Sequence, residues 1–266
     1  MRRIVLALLA LSLVVACRKP ADTAADPTLL SQVKTALAER EKKIASYQIA
    51  GAVEQDGQRA EFEFAYRAPG RLKGTLLGEA ARTFSYDGDR LFDLSPADKT
   101  LTSYEMKLPE AQSRLYLTQL FSSFVPEGYR TPLLDFSRAQ VKRVAHPKAS
   151  EAVELSSETK DEAGSLIRVV YVHRWPTMDL LERRLETAQA TMVIAIEEEH
   201  CAERLRLCMP KKLVQRVGDK VGAVTVLSKV DLEATVPAEA FTLVAPEGFT
   251  AKSMPLPGAG GQAGGR

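Results

Sequence analysis

From Tyr66 to Met106 the chain is broken at short intervals by turn chemistry: Pro69-Gly70, Asp87-Gly88, then Ser95-Pro96-Ala97-Asp98. The segments between, Arg71 to Leu77, Arg82 to Tyr86, Arg90 to Leu94 and Thr100 to Met106, are too short for stable helices and carry strand-like patterns. The same grammar starts earlier. Ile49, Gly51 and Val53 alternate with polar or small residues, Asp56-Gly57 supplies a two-residue hairpin turn, and Phe62, Phe64 and Tyr66 alternate with Glu61, Glu63 and Arg67. A chain patterned in this way buries one face by folding as five or six hairpin-linked strands, an antiparallel meander. No catalytic group stands out in it.

Around this meander the period changes. Leu29, Leu30, Val33, Ala36, Leu37, Ile44 and Tyr47 follow a 3.6-residue repeat, with Gln32, Lys34, Glu39, Arg40, Lys42 and Lys43 on the other side and Pro27 at the start. Leu117, Leu120, Phe121, Phe124 and Val125 form a second helical stripe between Pro109-Glu110 and Pro126 to Gly128. Thr131 to Phe136 reads as a shorter helical piece, capped by Thr131 with Pro132 at its first position. Strands return at Ala152 to Ser156, Leu166 to Arg174, Met192 to Glu199, Leu207 to Val217 and Val221 to Leu232, the last pair turned by Gly218-Asp219-Lys220. Met178 to Glu186 fits a strand, although Leu180 to Leu185 fits a helical turn as well. Antiparallel pairing of neighbours is the economical arrangement.

The termini are of another kind. Arg2 and Arg3 precede an apolar run of thirteen residues, Ile4 to Ala16. That is short of the roughly twenty needed to span a bilayer, so it reads as an export signal over residues 1–16. Val14-Val15-Ala16-Cys17 resembles the lipobox of bacterial lipoproteins, which implies cleavage before Cys17 and lipidation of its thiol. Arg18 in the next position favours the outer membrane on the same resemblance. Residues 17–28 then form a polar tether, residues 29–250 the folded domain, and residues 251–266 a glycine-rich flexible tail. Loss of Arg2 and Arg3 with the signal leaves 34 basic residues against 34 acidic ones, so no basic excess draws the chain to nucleic acid. With 45% apolar and 26% charged residues there is material for one large domain.

Cys201 and Cys208 flank a turn-like segment, and in an exported chain such a pair is expected to be oxidised into a hairpin staple. The rival is a metal or redox site with His200, for which the spacing matches neither zinc-ligand nor Cys-x-x-Cys patterns. His146, His173 and His200 lack metal-site spacing, and there is no nucleophile elbow or phosphate loop, so no enzyme, metal or cofactor is expected. Glu197 to Glu199 cannot all face one cation along a strand. Trp175 is read as a core residue, with a lipid-touching rim as the alternative.

Three segments together resemble a known family. Pro69 to Lys73 (PGRLK), Phe84 to Leu94 (FSYDGDRLFDL) and Val236 to Phe249 (VPAEAFTLVAPEGF) are similar, in order and spacing, to the lipoprotein localisation factor superfamily. Its first motif is Pro, two residues, an aromatic or Leu, then Arg and Trp; its second is Asp-Gly, two residues, Leu, Trp or Phe, then Tyr or Asp. The resemblance implies a mainly β (α+β) fold: a curved, incomplete antiparallel barrel with helices over its open side and an apolar cavity between. Candidate cavity and lid residues are Phe62, Phe64, Tyr66, Leu117, Leu120, Phe121 and Phe124. The position of the family's latching Arg is held by Lys73, followed by Gly74 in place of Trp, and Lys lacks the planar fork of Arg. The expected function is a membrane-anchored envelope protein that holds acyl chains of a lipid or lipoprotein. The alternatives are a sensor or scaffold binding an envelope protein, and a hydrolase whose carboxylates assemble only in three dimensions.

Overall fold

Hairpin chemistry sets the first half of the fold. In the computed structural model, which describes residues 26–79, 81–129, 136–160 and 164–256, β1 (Ser46–Gln55) and β2 (Gln58–Arg67) pair in register across Asp56-Gly57. Both turn residues have positive φ, 51° and 75°, as a type I′ turn requires. The meander continues through β3 (Arg71–Leu76), β4 (Arg82–Tyr86), β5 (Arg90–Ser95) and β6 (Thr100–Glu105). The second Asp-Gly makes a longer loop than the first, because Asp89 joins it. The Asp87 carboxylate accepts from the amides of Asp89 and Arg90 at 2.9 and 2.8 Å.

The second half is a longer meander: β7 (Gln140–His146), β8 (Ala149–Lys160), β9 (Leu166–Arg174), β10 (Leu180–Glu186), β11 (Thr191–Ala202), β12 (Leu207–Val217) and β13 (Lys220–Asp231). β7 has no counterpart in the sequence reading, since Val141 and Val144 are too sparse to set a period. Leu180 to Leu185 is strand, paired on both sides, rather than helical turn. β13 pairs with β1, which joins the two meanders into one sheet of fourteen strands that does not close. Register shifts between β1 and β13, β9 and β10, β11 and β12, β12 and β13, and β7 and β8 add to its curvature.

Two corrections concern the ends of the sheet. β14 (Thr250–Met254) lies inside the stretch read as tail from residue 251, and Leu256 beyond it is buried in the core. It also pairs with β6 in parallel, against the expectation of antiparallel neighbours throughout. The reason is its connection. After β13 the chain crosses the convex face through a short 3-10 turn at Ala238–Phe241, and a strand reached by a crossover is free to run parallel. Phe241 is fully buried in that crossing, and its carbonyl accepts from Ser85 Oγ at 2.6 Å.

Two α-helices are present among the described residues. Asp26 caps α1 (Pro27–Lys42) by accepting from the amides of Thr28 and Leu29. The helix stops at Lys42, so Ile44 and Tyr47 leave its stripe, and Tyr47 becomes a buried residue of β1. α2 (Glu110–Leu120) runs into a 3-10 turn at Phe121–Ser123. α1 covers the second meander through Leu29, Val33 and Leu37, while Leu117, Phe121 and Phe124 pack on the first. Residues 131–135 of the expected short helix lie outside the described residues, as do the signal, most of the tether and residues 257–266.

Candidate functional site

The concave face offers large apolar side chains, and the two helices do not fill the space above it. Between α1, α2 and the sheet lies a cavity of about 440 Å³, within the range of roughly 300–1,000 Å³ usual for small-molecule sites. Its wall is made by Ile44, Phe64, Tyr66, Leu72, Leu117 and Phe121. Spacing explains the helix contribution: Glu110, Ser113, Arg114, Leu117, Thr118 and Phe121 share one face of α2 and the turn that follows. Glu41, Pro69, Glu110 and Arg114 are exposed and mark its mouth.

The other end is buried and polar. Arg40 of α1 reaches down to the sheet, where its Nη2 donates to the Cys208 carbonyl at 3.2 Å and contacts Met209 Sδ at 2.8 Å. Its Nε stands 3.7 Å from Asp179 Oδ1, an ion pair too long for a hydrogen bond. Asp179, in the β9–β10 turn, also accepts from the Cys208 amide, Thr177 Oγ1 and Arg174. His173 stacks beside Tyr171, with Nδ1 3.0 Å from the Met178 carbonyl. A carbonyl only accepts, so Nδ1 carries the proton and Nε2 presents a lone pair. Tyr47 Oη donates to the Tyr129 carbonyl and Tyr129 Oη to that of Pro210, so neither phenol is left without an acceptor.

Burial governs the charges here. It pushes the His173 imidazole down to about 4, helped by the positive charge of Arg40 and opposed by the Met178 carbonyl and Asp179, so the ring is neutral near pH 7. Burial also lowers Arg40, with Asp179 opposing, and raises Tyr47 and Tyr129, which stay protonated.

Of the residues singled out from the sequence, Phe64, Tyr66, Leu117 and Phe121 line the cavity. Phe62 and Phe124 are buried beside it and Leu120 is half-buried at the back of α2, so these three support the wall without forming it. Lys73 is no latch. It lies on the opposite face of β3 from Leu72, and its Nζ donates to the Ala240 carbonyl of the convex crossing at 3.4 Å. Gly74 has a reason of its own: a Cβ there would stand 2.7 Å from the ring of Phe124. Cys201 and Cys208 face each other across β11 and β12 in a disulfide. Cys17 lies outside the described residues. Trp175 is half-buried, with Arg143 over its ring at 5.4 Å, rather than a sealed core residue.

Arg40 and His173 were missed. Arg40 was placed on the wet face of α1, yet it lies seven residues after Val33 and three after Leu37, on the stripe itself. His173 follows Tyr171 by two on a strand, so both point inward. In each case spacing held the signal and side-chain polarity obscured it. No group of three or more His, Cys, Asp or Glu is disposed to hold a metal among the described residues.

No protein-family model matches the sequence, and no curated protein sequence does. Solved structures do match. A putative outer membrane lipoprotein-sorting protein domain from Vibrio parahaemolyticus superposes with a TM-score of 0.50 at 8% identity, over 80% of this chain and 97% of that one. The chain shares the fold of that lipoprotein-sorting domain. A DUF1329 family protein from Desulfovibrio piger matches with a TM-score of 0.47 at 10% identity, and LolA superfamily protein NE2245 from Nitrosomonas europaea with 0.46 at 12%. Each covers 79% of this chain and 97% of its own. The cavity lies between the helices and the concave sheet, as the sequence resemblance implied.

Proposed function

We propose that this chain is an envelope lipoprotein that holds acyl chains of a lipid or lipoprotein in the cavity beneath α1 and α2. The observation that carries the reading is the cavity itself, whose wall of Ile44, Phe64, Tyr66, Leu72, Leu117 and Phe121 is apolar and aromatic. An acyl chain needs nothing more from a wall, since burial contributes about 25 cal/mol per Å² without oriented partners. Cys17, once acylated, anchors the chain to a membrane facing the periplasm, the outer membrane by the residue that follows it. No helix among the described residues is long and apolar enough to cross a membrane, so the proposed anchor is the lipid. With Lys73 turned away, access to the cavity is not latched from that position.

The test is to purify the chain from membranes, extract it with organic solvent and analyse the extract by mass spectrometry. A stoichiometric acyl-bearing molecule is expected. An extract free of acyl species, together with one protein partner captured in stoichiometric amount, would replace this reading with a scaffold.

A further inference from the structure

Four buried side-chain nitrogens lack a hydrogen-bond partner among the described residues: Arg40 Nε, His173 Nε2, Arg183 Nε and Arg184 Nε. Only the first two belong to residues lining the cavity. Both residues are more than nine-tenths buried, Arg40 at 9% and His173 at 3% exposure. Burying a polar nitrogen without a hydrogen bond is costly, and Arg40 Nε has only its 3.7 Å ion pair with Asp179, so two such nitrogens at the end of an apolar cavity mark a place where a ligand supplies the partners.

The two groups are complementary. Arg40 Nε carries a hydrogen to donate, and His173 Nε2 carries a lone pair, because Nδ1 spends its hydrogen on Met178. The fixed charges around them are already matched. Arg40 and Arg174 stand against Asp179 and Glu199, while Tyr47 and Tyr129 are neutral. A further net charge would enter a balanced, desolvated site, so the head group that fits is uncharged and offers one acceptor beside one donor.

On the reading of the cavity as an acyl-chain site, we infer that its ligand is a free fatty acid bound head first, with its carboxyl group between Arg40 Nε and His173 Nε2. The carboxyl C=O accepts from Arg40 Nε–H, and one proton lies between the other carboxyl oxygen and His173 Nε2. That proton comes from solvent, since a fatty acid is ionised near neutral pH, so each binding event takes up one proton. The chain runs from there along Tyr66, Leu72 and Leu117 toward the mouth. An acyl chain bonded to a protein cannot adopt this orientation, because its head is occupied. A free single-chain lipid can.

Calorimetric titration of the delipidated full chain with palmitate near pH 7.5, in two buffers of different ionisation enthalpy, tests this. Uptake of about one proton per palmitate is expected, with methyl palmitate, which has no donor, binding about tenfold more weakly. His173→Phe should cost palmitate about tenfold and abolish the proton uptake. Equal binding of palmitate and methyl palmitate, or palmitate binding without proton uptake, would overturn the head-first acid while leaving an acyl-chain cavity. Failure of both ligands to bind would sink the cavity reading and this inference with it. The proton count on the unmodified chain decides the matter even if the variant does not fold.

Discussion

Phe124 and Gly74 show how one residue commits this chain to its own version of the fold. The ring of Phe124 occupies the space a side chain at position 74 would take and stacks edge-on to Phe84, the partner of Gly74 across β3 and β4. Gly74→Ala should therefore cost about 1–3 kcal/mol in urea unfolding. Phe124→Leu should cost less beside Gly74→Ala than alone; a double variant no better than the sum of the two would disprove the contact. His173 makes a pH prediction. Its folded value of about 4 lies below the ordinary 6.5, so the unfolded chain takes the proton first. Stability from this group is complete above about pH 6.5, falls as pH drops from there to 4, and is lost below, amounting to about 3 kcal/mol. His173→Phe should flatten that part of the stability–pH curve, leaving the slope due to carboxylates. These residues were the hardest to read from sequence. Arg40 and His173 look like solvent-facing residues until the periodicity of their own elements is followed, and Gly74 looks like a gap until Phe124, fifty positions away, is packed on it.

At the scale of elements, the hairpins were legible because their turns carry their own chemistry. Asp56-Gly57 needs no tertiary contact to specify a two-residue loop, and β9 and β12 matched their expected bounds to the residue. β7 and β14 were not legible. One has a sparse apolar pattern, and the other is exposed along its whole length and defined only by its pairing with β6. α1 is positioned from both ends, by the Asp26 cap and by Arg40 on the Cys208 carbonyl. Asp26→Ala should cost about 1 kcal/mol, read as faster amide exchange in the first turn of α1. The Cys201–Cys208 staple closes a short loop, so its reduction should lower stability by about 2–3 kcal/mol. Because Cys208 also holds Arg40 and Asp179 through its carbonyl and amide, reduction should weaken palmitate binding as well. Unchanged binding in the reduced protein would separate the staple from the site.

Over the whole molecule, one open sheet of fourteen strands supplies a concave face broader than two helices can fill, and the remainder is the cavity. The fold class was readable from the order of turns, helices and strands. Whether the barrel was hollow was not, because alternating apolar residues seal a solid core as readily as they line a space. The proposed anchor is tested separately: Cys17→Ser should abolish labelling by a palmitate analogue in cells, and retained labelling would refute the lipobox. The claim at the centre is that the space under the helices holds an acyl chain. Photo-crosslinking with a palmitate bearing a diazirine on its chain, followed by peptide mapping, reads it directly. Adducts on Tyr66, Leu72, Leu117 or Phe121 that vanish under excess palmitate are the expected result, whereas adducts confined to exposed residues such as Val226 and Val244, or labelling that palmitate does not compete, would contradict it.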